Sequence, residues 1–485
     1  MISKKFIRNS VIYTIAGSLP IASGIILLPF YLEHLSTEVY GALALYMVIS
    51  LLVRTIVTYS FDASVYFYFH EYKSDEKKLA TYVSSAFTFI LIISLVGGAL
   101  FAISGGWVFK TFFADSGILF YPYGLIAVFT GVFQAILKVN SSLLQTQEKA
   151  SSFLWFNLLS FSLIAILTIT GLLIFPDDLI GPVGGQFLAT GVTSIWVLIV
   201  IYRQFGFQFD FQFLKNTFSF NHPSLIYQIM QWFNNSYDRV LMLALHLPLA
   251  QIGIYDFTAR CLSVMEILLT SLNSSFFPKI LRITALQTEK KSTVEINRYY
   301  HGLAAVTILL VTLSIFGLPI AIQWFKKTQY FDALPWIPFL AITYLLRSMR
   351  FYVAMPYAAL KYSKPLPFFY AFIVAIKVAT MVVLIPLYGI RGLIISIWIG
   401  YSVEVVVLYF GVKNKFEISF NAFKLIVAPL SMALVIVILE PLLGHEFELL
   451  AHILYVIIAS LVLGWTYRNE LKVFNWTSLF RYSKK

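Results

Sequence analysis

Twelve ionisable side chains fall inside stretches of this 485-residue chain that are otherwise apolar enough to span a lipid bilayer. They are Arg54, Asp62, Lys138, Asp238, Arg239, Asp256, Arg260, Glu266, Arg347, Arg350, Lys377 and Glu404. A charge at bilayer depth is costly and persists only against a partner or water, so this many predict a polar cavity through a helical bundle. The chemistry such groups offer is electrostatic recognition of a polar or charged solute. A second feature points the same way: Ser224, Gln228, Gln231, Asn235 and Asp238 follow at spacings of 4, 3, 4 and 3, one face of a helix. A stripe of amides and a carboxylate would line the cavity; the alternative is polar glue between helices.

The elements that must hold these residues follow from composition. Hydrophobic residues make up 59% of the chain, charged ones 12%, and the mean hydropathy is +0.81, which excludes an ordinary soluble domain. Apolar runs of roughly 20 residues recur along the whole length, which selects an all-α integral membrane protein over a barrel of short alternating strands. Cys261 is the sole cysteine, so a disulfide within the chain and a zinc cluster of cysteine ligands are excluded.

Hydropathy predicts about fourteen spans. The first six run near 8–32, 39–62, 82–108, 117–140, 151–175 and 180–203. The next six lie near 221–246, 250–277, 299–325, 333–357, 365–387 and 390–411, and the last two near 421–441 and 448–467. Lys4, Lys5 and Arg8 precede the first run as in a secretory signal, but the run continues to about Tyr31 without a cleavage site and reads as an uncleaved span bent at Pro20 and Pro29. With the N-terminus inside, cytoplasmic segments hold 24 of the 35 Lys and Arg, and external loops hold only Lys110, Lys326, Lys327 and Arg391. This bias places both termini in the cytoplasm and accounts for the net charge of +12 through anionic inner-leaflet lipids, leaving no call for nucleic acid.

An internal repeat organises the spans. His34-Leu35-Ser36-Thr37-Glu38-Val39-Tyr40-Gly41 is echoed 212 residues later by His246-Leu247-Pro248-Leu249-Ala250-Gln251-Ile252-Gly253, and Gly181-Pro182-Val183-Gly184, at a nearly equal offset, by Gly389-Ile390-Arg391-Gly392. The expected layout is a first lobe at 1–204, a cytoplasmic linker at 205–220, a second lobe at 221–412, and two further spans with a cytoplasmic tail at 413–485. Two six-helix lobes pointing the same way are related by an axis along the membrane normal, with the binding site at their interface. Arg54 and Glu266 share the 212-residue offset, so they occupy equivalent positions and could bridge the lobes in one state and part in another. Asp256 and Arg260, four apart, can pair along one helix; with Asp238 and Arg239 they form either an external gate or a neutralised structural network. Arg347 and Arg350 share a face and suit a phosphate, whereas Lys377 and Glu404 either serve the solute or neutralise each other. Asp62 and Lys138, near cytoplasmic ends, are expected to snorkel.

Tyr237-Asp238-Arg239, Gly253-Ile254-Tyr255 and Ser274-Ser275-Phe276-Phe277-Pro278, with Pro29, Tyr31, Leu35 and Tyr40-Gly41 near the start, resemble bacterial polysaccharide flippases of the multidrug, oligosaccharidyl-lipid and polysaccharide exporter superfamily. The resemblance implies two six-helix lobes and two extra helices around a cationic lumen. Its implied cargo is an undecaprenyl-diphosphate-linked oligosaccharide, such as an O-antigen, lipopolysaccharide or exopolysaccharide unit, moved by alternating access. It also implies proton or sodium coupling and partner assembly proteins. Seven basic against five acidic residues within the spans suit a diphosphate. The first span lacks Asp and Glu, a departure from the acidic first-lobe site of many drug exporters. A lipid II flippase and a drug antiporter remain alternatives. A membrane-embedded enzyme fits poorly: His34 and His246 occupy short turns without an acid–base constellation, and no Walker phosphate loop occurs. The layout predicts that cysteines placed at 283–297 resist membrane-impermeant maleimide added outside intact cells; external labelling there would reverse the topology.

Overall fold

The computed structural model describes residues 16–17, 19, 23–113, 116–287, 289–324, 327–362, 364–443 and 448–471. Lys4, Lys5, Arg8, the bend at Pro20, Lys326 and the final tail lie outside them. The described elements begin with α1 (Leu28–His34), α2 (Thr37–Thr58), α3 (Phe61–Tyr72), α4 (Glu76–Phe112) and α5 (Leu125–Thr146, led in by one wide turn). There follow α6 (Ala150–Ile174), α7 (Ile180–Phe205), α8 (Phe211–Ala244), α9 (Leu249–Ala285), α10 (Val294–Trp324) and α11 (Trp336–Ala359). The last are α12 (Leu366–Tyr388), α13 (Ile390–Val412), α14 (Ala428–Leu443), α15 (Glu448–Thr466) and the short α16 (Arg468–Leu471). The chain is thus an all-α multi-pass membrane protein. Each expected span from the second to the fourteenth coincides with helix.

Among the described residues, eight helices are long and apolar enough to cross a membrane by length and composition. Three further helices of 24 or more residues, α8, α9 and α11, fall outside that set, and they are the ones carrying the amide stripe, Asp256 with Glu266, and Arg347 with Arg350.

Helix ends overrun the hydropathy boundaries because polar residues beyond the apolar run still favour helix. The expected linker at 205–220 contracts accordingly: α8 starts at Phe211, capped by the Asp210 carboxylate on Gln212 N–H at 2.8 Å. The short connection is fastened to α4, where the Ser84 and Ser85 hydroxyls accept from Gln208 and Asp210 N–H at 2.9 and 2.8 Å. Compactness divides the chain after Asp256, so the first unit takes in α8 and the first turns of α9 beyond the six spans expected of the first lobe. Within it α2 packs on α5 and α8, and α7 on α5 and α6; in the second unit α13 packs on α11 and α12, and α10 on α11 and α15.

Span two breaks at Tyr59 and Ser60, both left-handed with φ of 48° and 59°. Non-glycine residues adopt this region only when neighbours enforce it. Here Gln228 of α8 donates to the Ser60 hydroxyl at 3.0 Å, and the Tyr59 hydroxyl meets His222.

The echoed segments meet directly. A Cβ added at Gly41 would lie 2.0 Å from the Leu249 carbonyl oxygen, and one at Gly253 would lie 2.1 Å from that of Thr37, so α2 and α9 cross backbone to backbone through the two repeat-related glycines. The glycines of the second echo do not pack as counterparts: Gly181 lies against the backbone of Gly171 and Gly392 against that of Leu384, closing the α6–α7 and α12–α13 hairpins, whereas Gly389 and Gly184, their partners in the echo, meet no neighbouring backbone. Gly41→Ala or Gly253→Ala is therefore expected to destabilise the purified protein in detergent by about 1–3 kcal/mol, the usual cost of overpacking. Gly317→Ala, with nothing within 4 Å of its Cβ, should be neutral or stabilising in the same thermal melts. Equal melting of all three variants would remove the crossing from this account.

Candidate functional site

In the first unit the charges close into one network where α8, α9 and α2 meet. Arg239 donates through Nη1 to Asp238 and through Nε to Asp256, each at 2.8 Å. The remaining carboxylate oxygens accept from tyrosines: Tyr40 on Asp256 at 3.0 Å, and Tyr255 on Asp238. The Arg239 guanidinium also lies 5.2 Å from the centre of the Tyr255 ring. Both aspartates are buried, and all four of their oxygens have a donor. Of the two readings of this cluster, gate or structural network, full satisfaction matches the network. Arg260, one turn further along α9, is half-buried.

A second cluster forms at Asp62 and Lys138, the residues expected to snorkel. They pair with each other at 2.7 Å, and Gln228 donates to Asp62 at 3.4 Å as well as to Ser60. The polar stripe of α8 therefore divides. Gln228 serves the α2–α3 break, Gln231 donates to Tyr227 at 3.0 Å, exposed Asn235 donates back to the Gln231 carbonyl at 2.8 Å, and Asp238 joins the buried network. Arg54 on α2 stands apart. Its Nε is buried and has no acceptor among the described residues.

The second unit gathers the other charges. Glu266 of α9 takes a bidentate contact from Arg347 of α11, at 2.8 and 3.0 Å, within the second unit. The Arg347 guanidinium lies 5.2 Å from the Tyr401 ring centre and 5.8 Å from that of Tyr344. Arg350, three residues on, turns to Glu404 of α13 at 2.8 Å, and the Tyr370 hydroxyl donates to the same Glu404 oxygen at 2.8 Å. Glu404 is fully buried, and its other oxygen has no hydrogen-bond partner among the described residues. Its ion-pair partner is thus Arg350, where Lys377 had been an expected one. Lys377 of α12 is buried beside Tyr401, its stem occupying the space left by Gly400. Three cations against two carboxylates leave this cluster with a surplus positive charge.

Residues 6–284 match the polysaccharide biosynthesis protein family. The chain belongs to that family. A relative described as Lsg locus putative protein 1 of Haemophilus influenzae is 24% identical over 342 residues, covering 69% of this chain and 77% of the relative. An uncharacterised membrane protein of the same organism is 24% identical over 328 residues, covering 66% and 74%. Among solved structures, the lipid II flippase MurJ in an inward closed conformation has a TM-score of 0.71 at 15% identity, covering 95% of this chain and 99% of MurJ. An inward-facing multidrug resistance MATE transporter has a TM-score of 0.56 at 15% identity, covering 85% of this chain and 98% of the transporter. This polysaccharide biosynthesis protein therefore shares the MurJ and MATE fold.

Sequence reasoning located the charges of this family member and missed the tyrosines that complete them. Tyr40 and Tyr255 belong to the segments that carry the resemblance, and 29 tyrosines in a membrane chain were the available signal that hydroxyls supply partners at depth. Asp256→Ala, which leaves Arg239 with one carboxylate and Tyr40 with none, is expected to cost about 3–5 kcal/mol in urea unfolding of the detergent-solubilised protein. Asp256→Asn, which keeps acceptor capacity, should cost less. A single-variant loss below about 1 kcal/mol, the range of exposed pairs, would sink the network as a structural clamp.

Proposed function

We propose that this protein is a flippase that carries undecaprenyl-diphosphate-linked oligosaccharide units from the cytoplasmic to the external face of the bacterial inner membrane, by alternating access, for surface polysaccharide biosynthesis. The observation that carries this reading is surplus positive charge within membrane helices. Arg54 presents a buried Nε without an acceptor, and Arg347, Arg350 and Lys377 outnumber Glu266 and Glu404. A diphosphate would neutralise such groups, and the planar guanidinium fork suits phosphate oxygens. Membership of the polysaccharide biosynthesis family supports the glycan cargo.

Both termini and the basic loops face the cytoplasm in this reading, and the cycle draws on a proton or sodium gradient. Other polysaccharide assembly proteins would supply and consume the lipid-linked unit. A lipid II flippase is the second reading, favoured on fold alone by the TM-score of 0.71 with MurJ. Cation–drug antiport is disfavoured because Asp62, Asp238, Asp256, Glu266 and Glu404 each already engage a cationic side chain.

Deletion of the gene is expected to accumulate lipid-linked oligosaccharide on the cytoplasmic face, measured by its inaccessibility to a periplasmic glycan-cleaving enzyme. Complementation with Arg54→Gln, at normal membrane abundance, should restore flipping about tenfold or more less well than wild type, the range of one lost charge-assisted hydrogen bond, and Arg54→Lys should fall between. Unchanged glycan distribution together with altered drug resistance would replace the flippase with an exporter.

A further inference from the structure

Across the α7–α8 connection the chain reads Phe205-Gly206-Phe207-Gln208-Phe209-Asp210-Phe211-Gln212-Phe213, a phenylalanine at every second position. Its contacts alternate with the sequence. Gln208 and Asp210 give their N–H groups to the Ser84 and Ser85 hydroxyls of α4, the Thr81 hydroxyl donates to Gln208 Oε1 at 2.6 Å, and the Asp210 carboxylate caps α8. At the two ends Phe205 and Phe213 pack into the apolar core of the first unit. Between them Phe207, Phe209 and Phe211 are left 74%, 46% and 53% exposed, a ridge of three rings on a segment held firmly to α4.

Two observations give the depth of these rings. Ser84 and Ser85 lie inside the third expected span, 82–108, and seven residues of helix, about 10 Å, separate Ser84 from Lys77 at the exposed start of α4. The connection is therefore held at the edge of the apolar layer and not beyond it. On α7 the exposed Val192, Ile195, Trp196 and Ile199 form the face that a membrane span turns to lipid, and this face runs on through the Tyr202 ring to Phe207, whose ring centre is 5.2 Å from it. Gly206, with φ of 74°, a region that a side chain would strain, turns the chain out of α7 and lays it against α4. Non-helical backbone persists at such depth only where protein meets its polar groups, as the Ser84 and Ser85 hydroxyls do here.

An exposed apolar ridge marks a surface that something covers, and its continuity with the lipid-facing side of α7 identifies the cover. We propose that the α7–α8 connection lies in the bilayer interface, with Phe207, Phe209 and Phe211 inserted between the lipid headgroups and the first methylenes of the acyl chains, rather than in water as a linker at 205–220 would be. Apolar rings suit this layer when flanking basic side chains reach the headgroups, and Arg203 and Lys215 stand exposed on either side without an ion pair among the described residues. The anchor has a consequence for α8. That helix is too polar to count as a span by composition, so its own hydropathy sets its depth poorly, and insertion at its first residue fixes the level of Gln231, Asn235 and Asp238. The surface requires only that the chain spans a membrane and is independent of what the protein translocates.

Nitroxide labels test this in the full-length protein reconstituted into phospholipid nanodiscs, with Cys261→Ser removing the native thiol. Labels introduced through Phe207→Cys and Phe209→Cys should collide with oxygen in preference to a water-soluble nickel chelate, as a label from Ile199→Cys should, whereas one from Lys77→Cys should prefer the chelate. Preference for the chelate at both phenylalanine positions would return the connection to water. Protection from both reagents would mean that protein, of this chain or of a second copy, covers the ridge; either result overturns the anchor. The unsubstituted protein gives an independent reading. A phospholipid carrying a diazirine near the head of its acyl chain should leave adducts on residues 207–211 after irradiation, and adducts on α7 with none on 207–211 would also overturn the proposal.

Discussion

A charge placed where hydrocarbon surrounds the protein has to be answered from within the protein, and this requirement organises the chain. Arg239 shows how. One guanidinium gathers a carboxylate from its own helix and one from α9, and the outer oxygens of those carboxylates are closed by Tyr40 of α2 and Tyr255 of α9. Three helices are thereby fixed to one another by directional bonds, in a setting where the hydrophobic effect gives helices little reason to associate. The Gly41–Gly253 crossing makes the arrangement reachable: with a side chain at either position, α2 and α9 would stand too far apart for Tyr40, next to Gly41, to reach Asp256.

The same requirement explains how the second unit departs from the sequence-based expectation. Arg347 and Arg350, three apart on α11, were expected to act together on a phosphate; each instead meets a different glutamate, on α9 and on α13. Ion pairing spreads across neighbouring helices because an isolated carboxylate on either would be costly, so α11 is joined to both by charge as well as by packing. Tyrosines share this role. Tyr401 lies beside both Arg347 and Lys377, and Tyr370 completes the contact at Glu404, so the surplus cation of the cluster is surrounded by aromatic faces and hydroxyls.

The helices were legible in the sequence because a bilayer imposes one long apolar window per crossing, and that signal is local. The charged residues were legible for the same reason: Arg54 or Glu404 is conspicuous in an apolar run. Their partners were not, because pairing depends on which helices are neighbours and on the rotation of each. The 212-residue offset made Arg54 and Glu266 equivalent in a repeat, but it carried no sign of Arg347, the partner that meets Glu266 within the second unit. The glycine echo fared differently, since Gly41 and Gly253 do touch, as identical positions can where two related helices cross. Asp62 and Lys138 looked like bystanders at helix ends because the break at Tyr59 and Ser60, which turns α3 and brings Asp62 to Lys138, has no glycine or proline to announce it.

What the pairing leaves over is more telling than what it uses. Once Asp238, Asp256 and Glu266 have their donors, and Asp62 has Lys138, two of the twelve embedded charges still hold a buried polar atom without a hydrogen-bond partner among the described residues, Arg54 through Nε and Glu404 through one oxygen. For Glu404 the deficit sits inside a cluster whose cations exceed its carboxylates, so the local field already favours its negative charge. Arg54 has the nearby charge of Asp62, which is itself paired with Lys138, and no hydrogen-bond acceptor at Nε among the described residues. A guanidinium stays charged at any physiological pH and cannot shed its cost by losing a proton, so it needs water or an anion in reach. An acceptor that comes and goes would meet that Nε, which is the part the proposed diphosphate would play.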